Sequence, residues 1–107
     1  MLTEFTKVTT VDRLPDGELL GVNAEGLEIC LARIGDEYFA INNLCSHMHT
    51  WLDGGFIRPG YEVQCPLHFS LFNLKTGAVS GAPATQDLET YAVRIEGEDI
   101  LVGPKEA

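Results

Sequence analysis

The chain has 107 residues, 45% of them hydrophobic and 21% charged, which is the size and composition of one globular domain rather than of a disordered segment. Sixteen acidic residues against seven basic ones leave a net charge of −9. That balance argues against binding nucleic acid or anionic lipid, since both draw their affinity from Lys and Arg. No apolar run approaches the roughly 18 residues of a membrane span. The start Met1-Leu2-Thr3-Glu4-Phe5 lacks the basic segment and apolar core of a secretion signal. A cytoplasmic protein that neither enters nor coats a membrane is therefore expected.

Taken in chain order, Lys7–Val11 and Glu18–Val22 are short strand candidates on either side of Pro15-Asp16-Gly17. Leu27-Glu28-Ile29-Cys30-Leu31 alternates with the period of a half-buried strand. Gly35-Asp36 turns the chain, and Tyr38–Ile41 returns as the hairpin mate. From Asn42 to Pro83 the apolar runs shorten and turn residues crowd in: Gly54-Gly55, Pro59-Gly60, Pro66, Gly77, Gly81 and Pro83. Regular alternation resumes at Tyr91–Ile95, turns at Gly97 and closes with Ile100–Val102. No window of helical length carries an apolar stripe. The expectation is an all-β fold of antiparallel sheets, a small sandwich or barrel. Residues 1–107 would form one domain, with a looped subdomain at about 43–83 inserted in the framework, where function is expected to sit.

Three cysteines stand at positions 30, 45 and 65, and an odd count without a secretion signal is poor evidence for a disulfide framework. Two of them sit in short motifs inside the subdomain: Cys45-Ser46-His47 and Cys65-Pro66-Leu67-His68. Thiolate and imidazole are donors for iron, zinc and copper. Each loop supplies one of each, so Cys45, His47, Cys65 and His68 can converge as two sulfur and two nitrogen ligands. A zinc finger orders its ligands differently, Cys with Cys and His with His. Cys30 reads as a small core filler, on the opposite face of its strand from Leu27, Ile29 and Leu31. His49 reads as an exposed loop residue. Trp51 is expected to pack beneath its own loop, with partner contact as the rarer alternative; Met48 is left open between these two readings.

The mixed order of ligands, set in strands running from Leu27 to Val102, resembles the Rieske [2Fe–2S] ferredoxins, and most closely the ferredoxin component of bacterial aromatic-ring-hydroxylating dioxygenase systems. The resemblance implies one [2Fe–2S] cluster per chain, with Cys45 and Cys65 on the deeper iron and His47 and His68 on the outer one. It implies that Gly81-Ala82-Pro83 is the proline-containing loop covering the cluster. Respiratory Rieske proteins carry an extra disulfide between the loops; Thr50 and Leu67 stand at those positions here. In that class a Ser and a Tyr donate hydrogen bonds to sulfur. Ser70 matches the serine, but Phe72 replaces the tyrosine, so a potential toward the low end of the roughly −150 to +300 mV Rieske range is expected.

The implied function is one-electron transfer, from a flavin-containing NAD(P)H-dependent ferredoxin reductase to a terminal oxygenase, by a monomer that performs no chemistry on substrate itself. No Gly-x-Gly-x-x-Gly fingerprint is present for a nicotinamide cofactor. The alternatives are a Rieske ferredoxin serving another oxygenase pathway, a zinc-bound Cys2His2 structural module, and a nitrite-reductase small subunit, which shares the fold but can lack the ligands.

Overall fold

The computed structural model describes residues 2–45, 50–67, 69–82, 84 and 86–105. Ten strands follow in chain order: β1 (Thr6–Thr10), β2 (Leu19–Ala24), β3 (Leu27–Ile34), β4 (Glu37–Asn42), β5 (Phe56–Arg58), β6 (Glu62–Gln64), β7 (Leu71–Asn73), β8 (Val79–Gly81), β9 (Thr90–Glu96) and β10 (Asp99–Gly103). Two 3₁₀ turns, Val11–Arg13 and Leu52–Gly54, are the only helical elements among the described residues. No helix there is long and apolar enough to cross a membrane.

The strands form two antiparallel sheets. The larger runs β1-β10-β9-β4-β3-β2, and its two edge strands lie close enough to curl it toward a barrel. The smaller, β5-β6-β7-β8, is built entirely from three-residue strands inside the turn-rich middle of the chain. The expected hairpins form: β3 pairs with β4 through Leu31↔Ala40, turning at Gly35, and β9 pairs with β10 through Ile95↔Ile100, turning at Gly97. Both glycines take positive φ, +62° and +64°, the left-handed conformation a tight turn demands and an L side chain resists.

Alternation sorts each strand of the larger sheet between two apolar groups. Ile29 and Leu31 of β3 join Leu14, Ala24, Ala40, Ile100 and Val102 inside the curl. Cys30 and Ala32, on the opposite face, join Ile41 and then Val63 and Phe72 of the smaller sheet. Residues 29–32 are thus buried without interruption. The half-buried reading of β3 is corrected: the smaller sheet covers the face that would otherwise meet water. Val11 also leaves β1 for the 3₁₀ turn. Trp51 is corrected as well, for its side chain is 51% exposed while the next residue, Leu52, takes the inward position at 0%.

One side-chain contact fastens the sheets together. The Tyr61 hydroxyl, in the turn between β5 and β6, donates to Glu37 Oε1 of β4 at 2.6 Å. The Tyr61 ring meets Phe39 edge-on at 5.6 Å and receives Lys75 Nζ at 3.9 Å from its centroid. The second apolar group, with this latch at one side, holds the smaller sheet in place for the loops at its end.

Candidate metal centre

Two loops leave the junction between the sheets, and each begins with a cysteine. They close in the same way. The Cys45 N–H donates to the Thr50 carbonyl at 2.8 Å, and the Cys65 N–H donates to the Ser70 carbonyl at 2.8 Å. Each cysteine is therefore held at the root of a small loop by its own backbone, which sets its side chain inward. Both are fully buried and belong to one apolar group with Leu52, Val63, Phe72 and Leu74.

The two thiols interact directly. Burial pushes the Cys65 thiol up to about 11; the Leu67 backbone N–H, which donates to its sulfur, pulls the other way, and the neighbouring Cys45 thiol adds to the rise. Two adjacent buried sulfurs facing a backbone donor form a soft, anion-capable pair that a cation stabilises. Thiolate sulfur is the donor chemistry of iron–sulfur centres, so the described part of the site fits such a group. His47, His49, Ser46, Met48, His68 and Pro83 lie outside the described residues. The expected imidazole ligands and the proline of the cover loop are among them.

The residues around the pair are described. Ser70 is buried, and its Oγ accepts the Ala84 N–H at 3.1 Å. That bond ties the second loop to the segment after β8, and it leaves the hydroxyl's one proton free to be donated elsewhere. Phe72 is fully buried against the cysteine pair's apolar group, where it offers no donor. All three cysteines are free thiols. Cys30 lies in the same apolar group; burial, with the charge of Asp53, raises its thiol far above the ordinary range and keeps it neutral. It is a core side chain, as expected.

Some residues carry no sequence signal. Leu67 and Phe69, on either side of His68, are 40% and 59% exposed, and with Trp51 they place three large apolar side chains on the loops. Phe69 takes φ +61°, a left-handed conformation costing a non-glycine residue about 1 kcal/mol or more. It lies inside the turn that the Cys65 N–H closes onto the Ser70 carbonyl. Asn43 is buried at the foot of the first loop and is equally silent in the sequence.

A model of the Rieske [2Fe–2S] domain matches residues 4–92. The chain belongs to the Rieske [2Fe–2S] family. It is 36% identical to the ferredoxin component of the naphthalene 1,2-dioxygenase system of Pseudomonas aeruginosa, over 95% of this chain and 97% of that one. Among solved structures it is similar to the ferredoxin of carbazole 1,9a-dioxygenase from Nocardioides aromaticivorans IC177, with a TM-score of 0.89, 36% identity, and coverage of 96% of this chain and 100% of the other. It is also similar to a chain in the complex of reduced oxygenase and oxidized ferredoxin of carbazole 1,9a-dioxygenase, with a TM-score of 0.86, 27% identity and 96% coverage of both. The Rieske family membership carries with it an iron–sulfur cluster. These relatives bear the name of an electron-transfer component of a dioxygenase system, and in the last case the component is seen with its oxygenase.

Proposed function

We propose that this chain is a one-electron carrier that accepts electrons from a flavin-containing, NAD(P)H-dependent ferredoxin reductase and delivers them to the terminal oxygenase of an aromatic-ring-hydroxylating dioxygenase system. It works as a cytoplasmic monomer holding one cluster, with residues 43–83 as the cluster-binding part of a single domain. The observation that carries the reading is the buried, mutually contacting pair Cys45 and Cys65, each at the root of a loop whose next chemistry-bearing side chain is a histidine, His47 or His68. When bound, a cluster on those four side chains takes up and releases one electron at a time.

The remaining work belongs to the protein. The apolar group of Leu52, Val63, Phe72 and Leu74 keeps water from the cysteine side. Leu67 N–H favours the ionised sulfur of Cys65. Ser70 ties the second loop to the Ala84 backbone. Trp51, Leu67 and Phe69 give the loops an apolar surface on which a partner can exclude water, in keeping with the small interfaces of transient electron-transfer encounters.

Electron paramagnetic resonance of the dithionite-reduced protein tests this. A Rieske-type signal with two iron and two acid-labile sulfides per chain is expected. Colourless protein with a single zinc would end the reading. Cys45→Ser is expected to give colourless protein of lower thermal stability, since metal binding to so small and turn-rich a domain is coupled to folding. Turnover of an aromatic substrate with purified reductase and oxygenase, absent when this chain is omitted, tests the partners.

A further inference from the structure

The first loop is fastened by a side chain that the cluster-binding reading does not use. Asn43 is only 3% exposed. Its backbone carbonyl accepts the Leu52 N–H at 2.7 Å, and its Oδ1 accepts the next N–H, that of Asp53, at 2.9 Å. Its Nδ2 donates back to Asp53 Oδ1 at 3.3 Å, and its own N–H is anchored on the Glu28 carbonyl of β3 at 3.0 Å. Leu52 and Asp53 open the 3₁₀ turn Leu52–Gly54, and Trp51, the residue before it, provides no side-chain cap. The N–H groups at such a start need partners from elsewhere. Asn43 supplies them from across the loop, so that one residue closes both stems of the segment carrying Cys45.

The larger sheet leaves room for this arrangement. A Cβ at Gly21 of β2 would stand 2.5 Å from Asp53 Oδ2 and 3.0 Å from Asn43 Nδ2. Gly21 needs no special conformation there; it is the absence of a side chain that lets the pair settle against β2. Both side-chain bonds of Asn43 go to Asp53 at the far foot of the loop, and its backbone adds one bond to that foot and one to the strand beneath it.

We propose that Asn43 is a positioning residue for the first ligand loop: paired with Asp53, its amide sets where that loop presents Cys45 to the cluster. The inference rests on the ligand assignment proposed above.

The test exchanges the two side chains. In Asn43→Asp the carboxylate can still accept the Asp53 N–H, but it faces a second carboxylate in place of a donor–acceptor pair. Adding Asp53→Asn restores the pair with its roles reversed. Three quantities are read: the rate at which a chelator bleaches the visible cluster absorbance, the resonance spectrum of the reduced protein, and the thermal midpoint. Asn43→Asp should bleach about tenfold faster than the wild type, the effect of about one buried hydrogen bond, with an altered spectrum. The double variant should return to within about twofold of the wild-type rate and to the wild-type spectrum. The proposal is overturned if Asn43→Asp lowers only the thermal midpoint and leaves rate and spectrum unchanged, or if the double variant is as impaired as the single one. Should Asn43→Asp fail to fold, the double variant decides alone: slow bleaching supports the proposal and colourless protein overturns it. Failure of the ligand assignment is distinguishable, because the wild type itself would then lack the Rieske spectrum.

Discussion

Phe72 shows how one side chain can set the redox level of this site. It is fully buried in the apolar group that holds both cysteines, where a phenyl ring offers their sulfur nothing to bond with. With Cys45 and Cys65 as the proposed cluster ligands, reduction would add negative charge near their sulfurs, and a donor added there would favour the reduced form. Phe72→Tyr introduces such a donor. A net hydrogen bond of about 1 kcal/mol corresponds to about 40 mV for one electron, so voltammetry should show a rise of that order. An unchanged or lower potential would mean that the new hydroxyl bonds elsewhere in the core. The contrast between Phe72 and Phe69 also marks what a sequence can disclose about single residues. The two cysteines are legible because thiolate and imidazole at short spacing have few structural uses. Phe69 is not, because its exposure and its left-handed backbone belong to the turn that Cys65 closes onto Ser70. Asn43 is hidden for a similar reason: its partner, Asp53, comes near only once the intervening loop has formed.

Elements divide along the same line. The β3–β4 and β9–β10 hairpins are readable because five residues, Leu27–Leu31 and Tyr91–Ile95, alternate on one side of a glycine turn, and a short apolar run returns on the other. Strands β5 to β8 are three residues each, too short for alternation to be distinguished from chance, and they form because the turns between them bring their backbones into register. Those turns are accordingly demanding. Gly77, between β7 and β8, has φ +78°, and a Cβ there would stand 1.9 Å from the Leu88 carbonyl oxygen. Its carbonyl in turn accepts the Leu88 N–H at 2.8 Å, joining the small sheet to the segment that leads into β9. Gly77→Ala should therefore destabilise the protein by more than about 2 kcal/mol in urea unfolding; a loss below about 0.5 kcal/mol would show that this junction can shift freely. The latch between the sheets predicts a pH effect. The Glu37 carboxylate, as acceptor and as neighbouring charge, raises the Tyr61 phenol above its usual value of about 10. Because the folded value exceeds the unfolded one, the contact's contribution is complete below about pH 10 and is lost as pH rises through the folded value. Urea midpoints should fall for the wild type above about pH 10, and fall less for Tyr61→Phe, which starts lower at neutral pH. Parallel curves for the two proteins would mean that the phenol's ionisation is not linked to folding.

At the scale of the molecule, the surplus of acidic charge is the property that partners meet first. The net charge is −9, and several of the few cations are occupied within the chain. Lys7 pairs with Asp99 at 3.2 Å, Arg33 and Arg94 lie over the rings of Tyr38 and Phe5, and Lys75 lies over Tyr61. From residue 43 to residue 93, the stretch that carries both ligand loops, Arg58 and Lys75 are the only basic residues, against Asp53, Glu62, Asp87 and Glu89. With two basic against four acidic residues, that stretch holds only a small part of the acidic surplus, most of which lies elsewhere on the chain, while the loops themselves present Trp51, Leu67 and Phe69. Long-range attraction and short-range contact are thus assigned to different residues. Charge steers encounter with a basic partner surface over about a Debye length, some 10 Å at 0.1 M salt and 3 Å at 1 M, whereas apolar contact acts after arrival and is indifferent to salt. In steady-state turnover with a terminal oxygenase, raising ionic strength over that range should raise the KM for this chain by about tenfold or more and leave the rate at saturation nearly constant. Substituting Ala for Phe69 should change the saturated rate or the lifetime of the complex, with the salt slope retained. A KM that does not move with salt would assign recognition to the apolar residues alone and leave the acidic surface with no part in finding the partner.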